Sequence, residues 1–312
     1  MNFLQHITTA CALVLIGHTS IAQRNTVSAG GEAMGSGGTV SFSVGQLDYI
    51  TASGSGGSAQ QGVQHVPVVR VRANIIAMLQ GPYDPGSGLM TDGLRANGLI
   101  PLNEPYTAMG FPTVEGGGES TTAAVFTTTG DDAIIDWVHV QLRDDDNLVI
   151  ATRNALLQAD GDIVDTDGTS PVRFAAKADD YRIAVMHRNH LSIISFNSIA
   201  LTGAPATVNF SNGDVATYGS NAQAMEPGTF ALWCGDVSGD DQVKYTGENN
   251  DRDFILQAIG GVIPTNTAAG YLSEDVNMDG TVMYTGADND RDLVLMVIGG
   301  VVPTNTRAAQ MP

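Results

Sequence analysis

The sequence predicts a mainly β protein, with a β-sandwich domain in the middle of the chain and a small helical domain at the C-terminus. Two observations support this prediction. Residues 67–234 contain several short runs of alternating apolar and polar residues, separated by Gly, Pro, Asp and Asn, as is typical of a sandwich. Residues 236–306 contain a sequence repeat, and each copy includes a short apolar segment of helical spacing.

The first 22 residues are interpreted as a cleaved secretory signal peptide, so the protein is expected to be secreted. They contain no acidic residue and no Lys or Arg, and an apolar run from Ala10 to Ile16 precedes the small-x-small ending at 20–22. This run is too short to span a bilayer, so no transmembrane segment is expected. The mature chain then holds one cysteine, Cys234, and forms no internal disulfide.

Residues 23–66 form a Gly/Ser-rich segment that precedes the central domain. Within it the stretch GGTVSFSVGQLDYI alternates, with Val40, Phe42 and Val44 on one face and serines between them. Alternation with period two predicts a strand. The segment is therefore interpreted as a small β element.

Residues 67–234 are predicted to form the β-sandwich. In IIDWVHVQLR the apolar face carries Val138, Val140 and Leu142, and the opposite face carries polar residues. Similar alternation occurs in VVRVRANIIAML (68–79) and YRIAVMHR (181–188), and shorter candidate strands are TVNF (207–210) and TFALW (229–233). Several amphipathic strands with turn signals between them favour a sandwich over a closed barrel.

Residues 235–312 form a separate predicted domain because they repeat. DVSGDDQVKYTGENNDRDFILQAIGGVIPTNT (236–267) and DVNMDGTVMYTGADNDRDLVLMVIGGVVPTNT (275–306) align without gaps, with 20 of 32 positions identical. Each copy consists of an acidic loop, a short apolar helix and a Gly-Gly pair suited to a helix C-cap. Helices of about ten residues are marginal alone, so the two copies are expected to pack against each other.

The charge of the chain excludes some partners. The formal net charge is −19, and residues 236–306 carry twelve acidic side chains against three basic ones. Such a chain repels nucleic acid and anionic membrane surfaces, so neither is an expected partner. The acidic repeat requires a counter-charge or open solvent.

Each copy of the repeat opens with oxygen donors at alternate positions around a sharp turn, which is the arrangement that Ca²⁺ requires. In the first copy the predicted ligands are the side chains of Asp236, Ser238 and Asp240 and the backbone carbonyl of Gln242. In the second copy they are the side chains of Asp275, Asn277 and Asp279 and the backbone carbonyl of Thr281. The sixth position is Asp241 in one copy and Gly280 in the other; Asp tolerates the left-handed backbone of this position better than most residues.

This tandem pattern resembles a dockerin domain, which consists of two EF-hand-like calcium loops, each followed by a helix. In that family a carboxylate at the twelfth position closes the loop, whereas here Gly247 and Gly286 stand there. Alignment of the helices instead assigns the closing position to Asp251 and Asp290, with a four-residue insertion around Tyr-Thr-Gly. Asp253 and Asp292 are alternative closing residues or helix caps, and a surface acidic turn without metal is the alternative to two calcium sites.

The resemblance implies that the tail attaches an exported protein to a cohesin-like partner, often in complexes that degrade plant polysaccharides. A purely structural calcium module is the alternative. The middle segment, with DWVHVQLRD and YRIAVMHRNHL, also resembles a β module that accompanies dockerin-like tails in exported bacterial proteins, some labelled haemagglutinins.

Three further groups of residues were considered as sites. The acidic stretch from Asp160 to Asp167 is expected to be an ordinary Asp-Gly turn rather than a third calcium site. His187 and His190 are expected to be core residues rather than metal ligands. Trp137 and Trp233 are expected to pack in the core or at a domain boundary rather than to stack on sugars.

The sequence therefore predicts a secreted, modular, calcium-binding protein whose β domain is a non-catalytic adhesion or binding module. The expected partner is a cohesin-like protein or a cell-surface glycan. The sequence contains no nucleophile elbow, phosphate-binding loop or extended zinc signature. The alternative is a secreted hydrolase, or an accessory protein of polysaccharide degradation, with its active site within residues 67–234.

Overall fold

The computed structural model describes residues 30–35, 38–43, 50–54, 57–61 and 70–312, and these residues are mainly β. The chain divides into two compact units, Met1–Pro67 and Val68–Pro312. The predicted signal peptide, 1–22, lies outside the described residues. The predicted tail and, from Val68 onward, the predicted sandwich domain both lie in the second unit.

The described residues of the first unit form two antiparallel hairpins. Strands β1 (Gly30–Gly35) and β2 (Gly38–Ser43) form one of them, and β3 (Ile50–Gly54) and β4 (Gly57–Gln61) form the other. The strand predicted from the alternating run around Val40 is confirmed as β2.

The second unit begins with a β-rich part, which we call the β body (residues 70–234). Its early elements are β5 (Val71–Ile76), β6 (Met78–Leu79), β7 (Tyr83–Asp84), β8 (Leu89–Met90), α1 (Gly93–Ala96) and a 3-10 turn (Val125–Thr127). Its later strands are β9 (Ile134–Arg143), β10 (Val149–Gln158), β11 (Asp162–Val164), β12 (Val172–Phe174), β13 (Asp179–His187), β14 (His190–Ile194), β15 (Ile199–Leu201), β16 (Ala206–Asn209), β17 (Gln223–Glu226) and β18 (Thr229–Leu232).

Nine strands of the β body form one sheet in the order β12-β5-β11-β10-β9-β13-β14, with β15 paired to β13 and β16 paired to β5. All pairs are antiparallel except β16 with β5. Thr202, next to β15, accepts a hydrogen bond from the backbone N–H of Arg72 in β5 at 3.0 Å. This bond links the segment that follows β15 directly to β5. A second sheet has the order β17-β18-β6.

The predicted apolar faces form the core, but one predicted polar face is also buried. In β5 the residues Val71, Ala73 and Ile75 are buried and alternate with more exposed ones, as the sequence predicts. In β9 both faces are buried, His139 and Gln141 included. The irregular segment 97–128 covers them and is fixed by the Tyr106 hydroxyl, which donates to the carbonyl of Trp137 at 2.7 Å.

The tail begins with β19 (Gln242–Lys244) and α2 (Asp251–Ala258), and the second copy contains β21 (Thr281–Met283) and α3 (Asp290–Val297). The helices contact each other over a small core that includes Ile255 and Val294. Each loop strand pairs with the segment that follows the other copy's helix. Thus β19 pairs with β22 (Thr306–Ala308), and β21 pairs with β20 (Thr267–Ala269).

The Tyr-Thr-Gly insertion adds further bonds between the two copies. The Thr246 hydroxyl donates to the carbonyl of Pro303, and the Thr285 hydroxyl donates to that of Pro264, both at 2.9 Å. The insertion therefore connects each loop to the other copy. No helix in the described part of the chain is long and apolar enough to cross a lipid bilayer.

Candidate metal centres

The carboxylates of Asp251 and Asp290 are turned back into their own loops. Asp251 is fully buried at the first turn of α2. Its Oδ1 accepts the backbone N–H groups of Val237 and Ser238 at 2.9 and 3.0 Å, and its Oδ2 accepts that of Lys244 at 2.7 Å. The residue therefore joins both ends of the loop to the helix.

Asp290 repeats this geometry 39 residues later. Its Oδ1 accepts the backbone N–H groups of Val276 and Asn277 at 2.7 and 3.3 Å, and its Oδ2 accepts that of Met283 at 2.7 Å. In both copies Oδ2 accepts a single hydrogen bond. A carboxylate oxygen has two lone pairs, so this atom retains capacity for a cation.

The first predicted ligand of each loop is also a buried carboxylate. Asp236 accepts the backbone N–H groups of Gly239, Asp240 and Asp241 at 2.9–3.1 Å. Asp275 accepts those of Asp279 and Gly280 at 3.1 and 2.8 Å. Each loop thus holds two buried carboxylates.

The remaining predicted ligands lie nearer to the loop surface. Asp240 and Asp279 each accept the backbone N–H two residues further on, at 3.1 and 2.8 Å. Asn277 bonds Asp279 through its amide nitrogen at 3.2 Å, and Ser238 lies 3.5 Å from a carboxylate oxygen of Asp236. The two residues whose carbonyls were predicted as ligands, Gln242 and Thr281, begin the loop strands β19 and β21.

The backbone of both loops has the expected left-handed sixth position, with φ of 60° at Asp241 and 95° at Gly280. Burial raises the pKa of the Asp241 carboxyl group, and the nearby Ser192 and Arg143 of the β body lower it in part. Met278 also has a positive φ, 61°, which is rare for such a side chain. Its side chain is buried in the core of the β body, and this packing holds the second loop in that conformation.

The alternative closing residues, Asp253 and Asp292, do not enter the loops. Each is partly exposed and paired with its neighbouring arginine at 2.9 and 2.7 Å. The helix N-caps are Asn250 and Asn289, whose side chains each accept the backbone N–H three residues further on at 3.1 Å. Asp253 and Asp292 in turn accept the cap amides at 2.9 Å.

The pKa values of the four buried carboxylates are raised. Burial, together with the nearby Asp251, Asp241 and Asp240, raises the pKa of Asp236 to about 7. Burial raises the pKa of Asp251 and of Asp275 to about 6 each. Burial and the nearby Asp275 raise the pKa of Asp290 to about 7. A bound cation would reverse these shifts, because an adjacent positive charge favours the ionised form.

The donor set fits calcium. It consists of carboxylate, hydroxyl, amide and carbonyl oxygens, the hard ligands that Ca²⁺ prefers, with no sulfur or imidazole. Within the described residues, no three His, Cys, Asp or Glu side chains are grouped closely enough to hold a metal ion by themselves. An ion in either loop therefore also requires the hydroxyl, amide and backbone oxygens.

The second loop is fixed to the β body by contacts that the sequence did not reveal. The Asn189 amide donates to the carbonyls of Asp275 and Ser273 at 2.8 and 3.0 Å, and the Asn97 amide donates to that of Asp279 at 3.2 Å. Gly81 passes so close to Val276 that a Cβ would overlap its carbonyl oxygen. These residues lie far from the repeat in sequence, so no local pattern predicts them.

The turn at 187–190 is a buried polar joint between β13 and β14. His187 donates from Nε2 toward Asp136 at 3.1 Å, and Arg188 donates from Nε to the same carboxylate at 3.0 Å. His190 accepts the Gly81 N–H at Nε2, at 3.1 Å. The expectation that both histidines are satisfied core residues is confirmed.

The acidic stretch 160–167 does not converge on one point. Asp165 is buried and paired with Arg153 and Arg173. Asp160 and Asp167 each accept backbone N–H groups of their own turns. The stretch therefore behaves as turns and ion pairs, which is the expected alternative to a third calcium site.

A cavity of about 630 Å³ lies beside Trp233, and its lining contains no carboxylate. Trp233 is half-buried, and the Arg307 guanidinium lies 3.6 Å from the centre of its ring system. The rest of the lining combines neutral polar side chains, including Asn221 and Gln223, with apolar ones such as Phe230 and Met225. Trp137, by contrast, is fully buried, as its predicted packing role requires.

Two other acidic residues of the β body are buried and bonded to protein groups. Glu104 accepts the backbone N–H of Gly118 at 2.9 Å, and Glu119 accepts the Asn154 amide at 2.9 Å and pairs with Arg153. Both belong to the covering segment 97–128 itself, where they are buried.

Comparison with known proteins adds no relative: no family model matches the chain, and neither a curated protein nor a solved structure matches it.

Proposed function

We propose that this is a secreted protein that binds two calcium ions in a dockerin-like tail, residues 235–312, and carries a non-catalytic binding module in its β body, which we interpret as a sandwich. The observation that carries the calcium proposal is the position of Asp251 and Asp290. Each is fully buried, and each returns to the start of its own loop despite the inserted residues.

The energetic reason is the burial of like charges. Two buried carboxylates in one small loop are unfavourable at neutral pH unless a cation compensates them. The pKa values of all four aspartates are raised, as expected where no cation compensates buried carboxylates. A divalent ion in each loop would supply it and would satisfy the remaining oxygen lone pairs.

Calcium in the tail has a structural role in this proposal. Each loop strand pairs with the other copy, and the second loop is bonded to the β body through Asn189 and Asn97. An ion that rigidifies the loops therefore supports the whole second unit. Attachment to a cohesin-like partner is the additional role that the resemblance to dockerins suggests.

Binding is preferred over hydrolysis for the cavity beside Trp233. A polysaccharide hydrolase of the common kind requires two carboxylates that face each other across an open groove. The cavity beside Trp233 has no carboxylate in its lining, and its aromatic and amide groups suit the apolar faces and hydroxyls of a neutral glycan. We therefore propose a cell-surface glycan as the ligand of this cavity.

Calcium binding is tested with the whole protein after chelation and dialysis. Equilibrium dialysis against ⁴⁵Ca²⁺ is expected to give two ions per chain in the wild type and one in D251N or D290N. The matched control D253N changes an aspartate of the same helix turn that does not enter the loop, and two ions are expected. No uptake by the wild type would refute the proposal.

The binding module is tested with an array of neutral and acidic glycans, in which retention and release of sugar are measured separately. Retention that is lost in N221A, without release of reducing ends, is expected. Release of reducing ends by the purified protein would instead support the hydrolase alternative.

A further inference from the structure

The two loops differ at one position that faces a predicted ligand. Lys244 ends strand β19 in the first loop, and Met283 occupies the equivalent position in the second. The Lys244 ammonium forms an ion pair with Oδ2 of Asp240. The other oxygen of this carboxylate, Oδ1, accepts the backbone N–H of Gln242 at 3.1 Å. The Lys244 ammonium therefore bonds the carboxylate oxygen of Asp240 that accepts no backbone N–H.

The second loop has no such internal cation. Oδ2 of Asp279 accepts only the neutral amide of Asn277, at 3.2 Å, and Met283 carries no charge. Arg188 is the cation of the β body that lies near Asp275. Its Nε bonds Asp136, so its charge is already paired.

The two loops differ in where their basic side chains lie and not in their net charge. Residues 236–253 carry six acidic and two basic side chains, and residues 275–292 carry five and one. The two copies thus have the same net charge. In the first copy, however, one positive charge is bonded directly to a predicted ligand, and its side chain is only 15% exposed.

We propose that Lys244 is a built-in counter-ion of the first loop, so that the two loops bind calcium unequally and the second loop fills first. This inference rests on the proposed calcium function. An ion that enters the first loop must displace the ammonium from Asp240 or bind beside a like charge, and both reduce its affinity. An ion that enters the second loop displaces no cation that is bonded to a predicted ligand, because Arg188 acts on Asp275 through space and is bonded to Asp136.

The second loop is also better preorganised for an ion. The buried side chain of Met278 and the amides of Asn189 and Asn97 fix its backbone before any ion binds. The equivalent of Met278 in the first loop is Gly239, which has no side chain to anchor. Preorganisation lowers the ordering cost of binding, so it acts in the same direction as the missing lysine.

The test replaces each of the two residues by the other, in separate variants of the whole protein, and measures calcium binding. Calorimetric titration of the chelated wild type is expected to give two binding constants about tenfold apart, equivalent to about 1.4 kcal/mol. D290N is expected to remove the tighter event and D251N the weaker one. K244M is expected to strengthen the weaker event about tenfold, and M283K to weaken the tighter one by a similar factor.

Thermal unfolding distinguishes a counter-ion role of Lys244 from a purely structural one. In chelator, K244M is expected to unfold at a lower temperature than the wild type, because the carboxylates lose their internal cation. Saturating calcium is expected to raise the unfolding temperature of K244M by more than it raises that of the wild type. A lysine with only a structural role would lower both unfolding temperatures equally.

The outcomes distinguish this inference from the function on which it rests. Calcium uptake with the binding constants of both K244M and M283K unchanged would overturn the role of Lys244 and leave the calcium proposal intact. No uptake by the wild-type protein would overturn both.

Discussion

At the scale of single residues, His190 makes stability depend on pH through the β body. Its Nε2 accepts the Gly81 N–H, so the imidazole is neutral. Burial lowers the pKa of His190 well below its ordinary value, and the nearby His187 and Arg188 lower it further. The folded state therefore binds this proton less readily than the unfolded chain.

We therefore expect the wild type to lose unfolding free energy relative to H190Q as the pH falls below about 6.5, the value at which an unfolded histidine gains its proton. By the same relation, a histidine that stays unprotonated in the folded state costs about 1.4 kcal/mol for each pH unit below that value. The raised pKa values of the buried loop carboxylates act in the opposite direction, equally in both proteins. H190Q retains an acceptor for Gly81 but does not titrate. Urea unfolding in chelator at several pH values tests this, and equal pH slopes for the wild type and H190Q would contradict it.

Gly81 is the second residue for which the structure makes a sharp prediction. A Cβ there would overlap the carbonyl oxygen of Val276, which belongs to the backbone of the second loop and has little freedom to move. G81A is expected to lose about 1–3 kcal/mol of unfolding free energy, the usual cost of overpacking. G203A is the control, because no atom lies within 4 Å of its added Cβ. Equal unfolding midpoints for G81A and G203A would contradict the close approach.

Some residues of the candidate sites were predictable from the sequence, and others were not. Asp251 and Asp290 were assigned because the helix repeats, and the structure turns both into the loops. The contacts of Asn189 and Gly81 join parts of the chain about 86 and 195 residues apart, which follows from the fold and not from any local spacing.

At the scale of elements, the period-two pattern identified β5, β9, β13, β16 and β18 near their observed bounds. Burial of the polar face of β9 was not predictable, because the segment 97–128 that covers it has no regular pattern. The exchange of strands between the two copies was also not predictable, since β20 and β22 are only three residues long.

The inserted Tyr-Thr-Gly is expected to stabilise the pairing of the two copies. T285V removes the hydroxyl that donates to Pro264, and T246V removes its counterpart on Pro303. Each is expected to cost about 0.5–1.5 kcal/mol, the usual net value of one hydrogen bond. T304V, at an exposed threonine of the same tail, is the control. Chemical denaturation gives all three values, and wild-type stability of both T285V and T246V would argue against this function of the insertion.

At the scale of the whole molecule, the tail and the β body form one compact unit, Val68–Pro312. Calcium in the loops is therefore expected to stabilise both parts together. At one hundred times the dissociation constant, each ion adds about 2.7 kcal/mol to the free energy of unfolding.

A single unfolding transition that moves to higher temperature with calcium is therefore expected in differential scanning calorimetry. Near-ultraviolet dichroism of Trp137, which lies in the β body, is expected to follow the same midpoint as helix loss in the tail. If the tail alone responds to calcium while Trp137 keeps its metal-free midpoint, the two parts are not coupled.

The most direct test of the central claim is a crystal structure of the whole protein grown with calcium and measured for anomalous scattering. One ion is expected in each loop, at about 2.3–2.6 Å from carboxylate oxygens of Asp236 and Asp251 in one site and of Asp275 and Asp290 in the other. Well-ordered loops in saturating calcium, with all four carboxylates bonded only to backbone N–H groups and no anomalous peak between them, would contradict it.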